Sequence, residues 1–389
     1  MAKETNPPGI YIEEISVFPP SVAQAETTIA IFIGCTEKAI ENGASLLQTP
    51  KQVQSLIEYQ NFFGGAAIAG NSFCLYESIR LFFDNGGGKC YIISTGNYAN
   101  PVSFADLHTG LLNSQTVPAS VLVMPDAVYL PAAQDFFALQ QNMLQQCAEL
   151  RTRFAILNTR EPSQHVFNDI QHFRDGTGSD NLSWGATYYP WLVLNNAKKI
   201  PPCGAIAGIY AKTDNSRGVW KAPANVSVNG ISGLTNSITD ALQNNMNVHD
   251  SGKSINAVRF FTGKGFLVWG ARTLAGNDNE WRYIPVRRFF NMAEESVTNA
   301  SQLFVFEPND ASTWVKVKGM IENFFNILWR QGALQGAKPE HAFYVAVGLS
   351  KTMTALDILE GRMIIEIGMA TIRPAEFVIL RISINMQKR

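Results

Sequence analysis

Short apolar runs and amphipathic stretches alternate along residues 28–174. The runs are typical of buried strands, and the stretches between them space their apolar residues three and four apart, as helices do. The predicted strands are 28–36, 89–95, 120–126 and 153–159, and the predicted helices are 71–85, 132–150 and 162–174. Strands that alternate with helices of this length indicate a largely parallel sheet covered on both faces. Further apolar runs at 186–194, 256–261 and 265–273 are predicted to complete this α/β section.

The clearest helical pattern follows Pro308. Asn309 and Asp310 are suitable N-caps, and Gly332 and Gly336 are typical of a helix end. The predicted apolar face consists of Trp314, Val317, Ile321, Phe324 and Leu328, and the opposite face carries Lys316, Lys318, Glu322, Asn323 and Arg330. Such a helix packs one side and presents a side of mixed charge to a partner. The segment before it, 301–306 (SQLFVF), is predicted as a strand.

Both ends of the chain carry patterns typical of single strands. The run Ile10–Ile15 lies between the proline pairs at 7–8 and 19–20. It is therefore either an edge strand of its own domain or a strand added to the sheet of a neighbour. Apolar residues also alternate from Val378 to Met386. The predicted organisation is an N-terminal arm (1–26), an α/β domain (27–280), a smaller α+β domain (281–376) and a C-terminal arm (377–389).

Charge is nearly balanced but unevenly divided. The formal net charge is −1, which argues against binding nucleic acid through general phosphate attraction. Residues 1–211 hold 11 Lys and Arg against 17 Asp and Glu, whereas residues 212–389 hold 20 against 15. An acidic half and a basic half suit head-to-tail self-association or docking on an acidic partner. The same counts would also result from charged side chains that are scattered over the solvated surface and bind no partner.

Five cysteines and the polar start of the sequence bear on the compartment. No two of Cys35, Cys74, Cys90, Cys147 and Cys203 form a CxxC pair, and most have apolar neighbours, as in a protein that folds in a reducing cytoplasm. The start MAKETNPPG predicts no secretory signal, and no apolar run approaches the roughly 20 residues that span a bilayer. We therefore expect no membrane insertion.

Candidate catalytic and metal-binding groups form only weak constellations. Asp169 lies between His165 and His172 at spacings of four and three, which permits a metal site but is more typical of a polar helix face. Asp126 and His165 could be combined with a later serine, yet no serine lies in a GxSxG turn. The DSGKS segment, 250–254, lacks the first glycine of a phosphate-binding loop. The sequence therefore predicts no catalytic residue, no cofactor and no metal.

Several separate blocks resemble one family of structural proteins. They are PPGIYIEEI (7–15), YYPWL (188–192), AGIYAKTDNSRGVWKAPAN (207–225), VWGARTL (268–274), YIPVRRFF (283–290), VFEPND (305–310), GALQG (332–336) and RPAEFVILRI (373–382). On these blocks the chain is identified as a member of the contractile tail sheath proteins, which surround the tubes of phage tails, R-type pyocins and extracellular injection systems.

The resemblance implies a fold and a set of partners. The α/β domain should be an outer domain similar to subtilisin without its catalytic triad, and the C-terminal domain should face an inner tube. The chain should assemble with itself into hexameric rings stacked helically, and with tube, baseplate and terminal cap proteins. Paralogous sheath subunits in the same particle are compatible with it. The arms should add strands to neighbouring subunits through Ile10, Tyr11, Ile12, Val378, Leu380, Ile382 and Ile384. Contraction would drive the tube through a target envelope, and lysis would release the particle.

The same resemblance gives roles to charged side chains. Lys316, Lys318 and Arg330 are predicted to face the tube. Arg287 and Arg288 precede Glu294 and Glu295 on a predicted helix. Because adjacent helical residues point about 100° apart, at most one arginine should face the core. One is predicted to anchor an ion pair between the two domains and the other to lie at an intersubunit face, unless both are solvated.

Two other functions stay open at this point. An α/β hydrolase would react with serine-directed reagents, and a nucleotide-driven assembly factor would bind ATP saturably. Tubular polymers of the purified protein would favour the sheath over both.

Overall fold

The computed structural model describes residues 21–68 and 72–376. The chain divides into two compact units. The described part of the larger unit consists of residues 24–68, 72–295 and 371–376, and that of the smaller unit consists of residues 21–23 and 296–370. The division falls at Glu295/Ser296, whereas the predicted C-terminal domain starts at 281; the three predicted boundaries between the four segments stay predictions.

Strands and helices alternate along the chain. The strands are β1 (Ala30–Thr36), β2 (Ile40–Glu41), β3 (Ala44–Ser45), β4 (Lys51–Val53), β5 (Cys90–Asn97), β6 (Val121–Val123), β7 (Phe154–Asn158), β8 (Gly185–Tyr189), β9 (Leu192–Val193), β10 (Lys199–Ile200), β11 (Val226–Ser227), β12 (Gly233–Leu234), β13 (Asn256–Phe261), β14 (Gly265–Trp269), β15 (Phe343–Val347) and β16 (Ile365–Met369). The helices are α1 (Leu56–Phe63), α2 (Leu75–Asp84), α3 (Phe104–Asn113), α4 (Ala133–Leu150), α5 (Val166–Gly176), α6 (Cys203–Arg217), α7 (Asp240–Asn247), α8 (Ile284–Ser301), α9 (Ala311–Arg330), α10 (Pro339–Ala342) and α11 (Ala355–Leu359).

A nine-stranded sheet forms the centre of the larger unit. Its order is β11-β14-β13-β8-β7-β6-β1-β5-β4. The six strands from β13 to β5 in this order pair in parallel, and only the edge pairs with β4, β14 and β11 are antiparallel. The prediction of a largely parallel sheet is therefore confirmed.

Helices cover both faces of this sheet. Along β1, Ala30 and Phe32 point into one core with α2 and α6, and Ile31 and Ile33 point into a second core with α3, α4 and α5. Every residue of β1 is buried. The continuous apolar runs thus reflect a sheet with two buried faces, as the sequence predicted.

The small-residue segment 203–214 forms α6 and packs closely on α2. A Cβ built on Gly204 would lie 2.2 Å from the carbonyl oxygen of Ser78, and one on Gly208 would lie 2.4 Å from that of Phe82. Only glycine allows the two backbones to approach so closely.

In the smaller unit, α9 follows the predicted pattern. The Asp310 side chain caps it by accepting from the Thr313 N–H at 3.0 Å. Val317, Ile321, Phe324 and Leu328 are buried and Trp314 is half-buried. The β15–β16 hairpin packs on this helix, with the Phe325 and Phe343 ring centroids 5.5 Å apart.

The strand predicted at 301–306 is wrong. Ser301 ends α8, residues 302–304 form one 3₁₀ turn, and Phe306 has a left-handed φ of +72°. Strand conformation requires a pairing partner, and the backbone here bonds locally: the Val305 N–H donates to the Gln302 carbonyl oxygen and the Glu307 N–H to that of Phe304.

Candidate functional site

The weak candidate metal site around Asp169 consists of ordinary helix contacts. His165 precedes the first turn of α5, and the Asp169 carboxylate accepts from the Ser163 N–H at 2.9 Å and the Tyr189 hydroxyl at 2.8 Å. No cluster of three His, Cys, Asp or Glu side chains suited to a metal ion occurs within residues 21–68 and 72–376. Over the same residues no helix has the length and apolar character needed to cross a bilayer.

Asp126 is a buried acceptor for backbone groups. Its carboxylate oxygens accept from the N–H groups of Cys35 at 2.8 Å, Cys74 at 2.7 Å and Leu75 at 3.1 Å. A Cβ on Gly34 would lie 2.6 Å from the same carboxylate. Burial raises the pKa of Asp126 to about 6 despite these donors. The side chain thus joins the end of β1 to the start of α2, and its oxygens are already engaged.

The five cysteines are all free and buried. Burial raises the pKa of the Cys35, Cys147 and Cys203 thiols to about 12 and also raises those of Cys74 and Cys90. The thiolate is the nucleophilic form. These groups therefore stay protonated near neutral pH and pack as small apolar side chains.

Arg287 and Arg288 are both buried, with 5% and 4% of their surface exposed. The expectation that at most one of them faces the core is wrong, and so is the alternative of two solvated arginines. Long arginine side chains can reach different partners from neighbouring helical positions. The structure uses this freedom by giving each guanidinium its own environment.

Arg288 forms a buried ion pair with Asp214 of α6. Its Nη2 lies 2.6 Å from Asp214 Oδ2, and its Nη1 lies 3.0 Å from Oδ1. Nη2 also donates to the carbonyl oxygen of Thr27 at 2.9 Å. The guanidinium carbon lies 4.6 Å from the centre of the Tyr210 ring. The pair joins residues of the predicted α/β and C-terminal domains, although both lie in the larger unit.

Arg287 is held between two tryptophan rings. Its guanidinium carbon lies 4.0 Å from the centre of Trp184 and 3.9 Å from that of Trp281. Arg287 Nε donates to Asn291 Oδ1 at 3.0 Å, and Arg287 Nη2 lies 4.0 Å from Glu294 Oε1. Desolvation lowers the pKa of Arg287 to about 10. Burial raises the pKa of Glu295, which the nearby Arg153 partly offsets. An intersubunit role for either arginine stays a prediction.

The polar face of α9 carries the predicted tube-facing cations. Lys316 and Arg330 are exposed, whereas Lys318 is half-buried and lies 3.5 Å from Glu322 one turn later. Lys316 and Lys318 are two positions apart, so they project about 200° apart around α9. Their proposed partner stays a prediction.

Two surfaces of the smaller unit were missed by sequence reasoning. Residues 303–306 expose Leu303, Val305 and Phe306, at 64%, 59% and 102%. In addition, among the described strands β15 and β16 pair only with each other, from Phe343 opposite Met369 to Val347 opposite Ile365. No other described residue hydrogen-bonds to the outer backbone edge of either strand. Such edges are templates for a further strand. The predicted arm residues Ile10, Tyr11, Ile12, Val378, Leu380, Ile382 and Ile384 lie outside the described residues.

Comparison with known families gives two matches that together cover most of the chain. The model of the phage tail sheath protein central domain matches residues 106–274, and that of the phage tail sheath C-terminal domain matches residues 276–385. The tail sheath protein of Vibrio phage KVP40 is 29% identical over 155 residues, which are 37% of this chain and 23% of that protein. The match therefore spans about a quarter of that relative.

Solved structures match over nearly the whole length. The sheath complex of the PVC extracellular contractile injection system, in its contracted state, is 33% identical with a TM-score of 0.77, and the match covers 98% of each chain. The contracted helical sheath of the anti-feeding prophage is 33% identical with a TM-score of 0.78, covering 97% of this chain and 99% of that one.

Proposed function

Because the chain belongs to the contractile tail sheath family, we propose that it is a sheath subunit that polymerises helically around an inner tube and drives the tube through a target envelope by contracting. In this proposal the chain is structural and not an enzyme. One relative of similar length is the sheath of an extracellular contractile injection system and another is the helical sheath of the anti-feeding prophage, and both structures are of the contracted state. The same subunits must then have two packings, related by rigid-body rotation.

The observation that carries the proposal is the open β15–β16 hairpin. A two-stranded sheet is only marginally stable unless its apolar face is covered, and Phe343, Val345 and Val347 provide such a face against α9. No described residue hydrogen-bonds to either outer edge, which supports a role for these edges in accepting a strand. We propose that the arm strands, Ile10–Ile12 of one neighbour and Val378, Leu380, Ile382 and Ile384 of another, add to these edges.

The positions of the two domains in the sheath are proposed by analogy with the family. We propose residues 27–280 as an outer domain similar to subtilisin without a catalytic triad, and residues 281–376 as an inner domain facing the tube. The large parallel sheet supports the first part, as does Asp126, whose oxygens bond to backbone N–H groups. Lys316, Lys318 and Arg330 would oppose acidic tube residues.

The partners we propose are further copies of the chain in stacked hexameric rings, a tube protein, and baseplate and terminal cap proteins; paralogous sheath subunits fit the same scheme. The anti-feeding prophage baseplate contains a chain that is 34% identical to this one with a TM-score of 0.78, which supports the baseplate contact. The particle would assemble in the bacterial cytoplasm and be released by lysis.

Electron microscopy of the concentrated purified protein tests the proposal. Tubular polymers are expected. Deleting residues 1–20 should leave a folded protein with near-normal melting, because an arm that completes a neighbour's sheet adds nothing to the monomer. The same deletion should abolish long tubes, and deleting 378–389 should also stop polymerisation. Normal tubes from the N-terminal deletion, or a collapsed melting temperature, would show that this segment is an internal strand.

A further inference from the structure

The residues at which both proposed arms join the larger unit are each held by a buried arginine. Thr27 follows the N-terminal arm and Glu376 precedes the C-terminal arm. The Thr27 carbonyl oxygen accepts from Arg288, and the Glu376 carboxylate accepts from Arg272. Both arginines come from the chain segment that links β14 to the first turns of α8.

Arg272 holds Glu376 through two nitrogens. Its Nε lies 2.9 Å from Oε1 and 3.1 Å from Oε2, and its Nη2 lies 2.5 Å from Oε2. Nη1 donates to the carbonyl oxygens of Asn247 at 3.3 Å and Gly276 at 3.2 Å. The Arg272 side chain is 5% exposed and that of Glu376 is 16% exposed. A bidentate pair with such little solvent access fixes position as well as distance.

Arg288 holds Thr27, the residue that follows the N-terminal arm. One nitrogen, Nη2, donates both to the Asp214 carboxylate and to the Thr27 carbonyl oxygen. The Asp214 side chain is 2% exposed, so the pair is fixed inside the larger unit. Thr27 is therefore tied to α6 and α8, three residues before β1 begins at Ala30.

We propose that Arg272 and Arg288 are positioning residues that fix the roots of the two intersubunit arms to the larger unit. This inference rests on the proposed function, because it concerns how the arms act in the sheath. A fixed root restricts where an arm strand can reach, which lowers the entropy lost when it binds a neighbour. It also transmits the pull of a neighbour to the large sheet during contraction.

Glu376 provides the cleaner test of the C-terminal root. Glu376→Ala removes the acceptors and leaves Arg272 only its two carbonyl partners, so the subunit should melt at a lower temperature than wild type. Polymerisation is therefore compared at a temperature at which circular dichroism shows both variants to be folded, and Glu376→Gln replaces Glu376→Ala if the latter does not fold. The concentration needed for polymerisation should rise at least tenfold. The concentration needed for Glu376→Gln to polymerise should lie between those of wild type and Glu376→Ala, because glutamine keeps one acceptor oxygen. Amide hydrogen exchange at residues 371–376 should speed up in the unassembled Glu376→Ala variant.

Asp240→Asn is the matched control. Asp240 pairs with Arg259 at 2.8 Å and lines the same cavity as Glu376, but it is not joined to an arm. It should leave polymerisation unchanged. If wild type polymerises and Glu376→Ala does so at the same concentration, or if the control is equally impaired, the anchor is overturned. If wild type forms no polymer, the proposed function itself fails.

The N-terminal root needs a double variant, because removing one partner of a buried ion pair can unfold the chain. Arg288→Met combined with Asp214→Asn removes both charges and keeps similar side-chain volume. We expect a folded monomer whose polymers are as short as those of the 1–20 deletion. Polymers of wild-type length from a folded double variant would contradict the anchor at Thr27. If the double variant does not fold, faster exchange at residues 24–29 in Arg288→Lys is the substitute measurement, and unchanged exchange there contradicts the anchor.

Discussion

Gly204 of α6 lies directly against Ser78 of α2, so that a Cβ at Gly204 would come within 2.2 Å of the Ser78 carbonyl oxygen. Backbone atoms, unlike the end of a flexible side chain, cannot move aside cheaply. The two helices cover one face of the central sheet, and their separation therefore depends on a residue without a side chain.

Gly204→Ala should accordingly lower the free energy of unfolding by about 2–3 kcal/mol, as overpacked cores do. Gly319→Ala in α9 is the matched control, because nothing lies within 4 Å of a Cβ there. That substitution should raise the free energy of unfolding by about 1 kcal/mol through helix propensity. Denaturant unfolding of both variants measures the difference, and equal effects would contradict the close approach.

Asp126 should make the stability of the larger unit depend on pH. Its folded pKa of about 6 lies above the usual value, so between about pH 4 and 6 the folded state binds more protons than the unfolded state. The stability contributed by this group is therefore present at low pH and is lost as pH rises through 6.

Asp126→Asn does not titrate, and its amide nitrogen cannot accept from the backbone N–H groups. The variant should be destabilised most near pH 4, and the difference from wild type should shrink by about 1–3 kcal/mol as pH rises to 7. Chemical denaturation at pH 4, 5, 6 and 7 provides the test. A difference that does not vary with pH would show that Asp126 has an ordinary pKa.

Arg287→Lys should destabilise the larger unit although it keeps the charge. A lysine ammonium cannot stack its face on both Trp184 and Trp281 as a planar guanidinium does. We expect a loss of about 1–2 kcal/mol from thermal or urea unfolding. Arg330→Lys, on the exposed end of α9, should change stability by less than about 0.5 kcal/mol. Similar values for the two variants would rule out the stacking contribution.

Phe306 combines full exposure with a left-handed backbone, which a bulky residue adopts at a cost. Asparagine tolerates this conformation. Phe306→Asn should therefore raise the free energy of unfolding of the unassembled subunit by about 0.5–1 kcal/mol, which a higher melting temperature would show. Phe304→Asn, two residues earlier and 8% exposed, should destabilise it by about 3 kcal/mol. A destabilised Phe306→Asn would mean that the aromatic ring has a partner within the chain.

The cationic face of α9 is tested by charge reversal. Lys316→Glu with Lys318→Glu should weaken co-assembly with the tube, most at low salt, because exposed charges are screened by ions. The control makes the same change in charge on the same unit at Lys338 and Lys351, which are exposed and do not belong to α9. Unchanged co-purification of the tube with the Lys316 and Lys318 variant would remove these residues from the proposed interface.

The sequence by itself determined the elements whose pattern is local. Helix α9 was predicted with its cap Asp310 and its buried Val317, Ile321, Phe324 and Leu328, because helical periodicity and capping depend on residues within a few positions. The apolar runs likewise predicted a parallel sheet with both faces covered. The series of separate sequence blocks that resemble the family also placed the chain in it.

Only the tertiary structure decided what depends on distant residues. Arg288 meets Asp214 from 74 positions away, and Asp126 accepts from Cys35 at a separation of 91. No local pattern contains such partners, so the sequence did not predict that Arg287 and Arg288 would both lie in the core. The segment 301–306 shows the same limit, because its apolar residues suit a strand but no strand of the described chain pairs with it. Periodicity depends on residues within a few positions of each other, whereas the burial of a charge depends on which distant groups the fold brings to it.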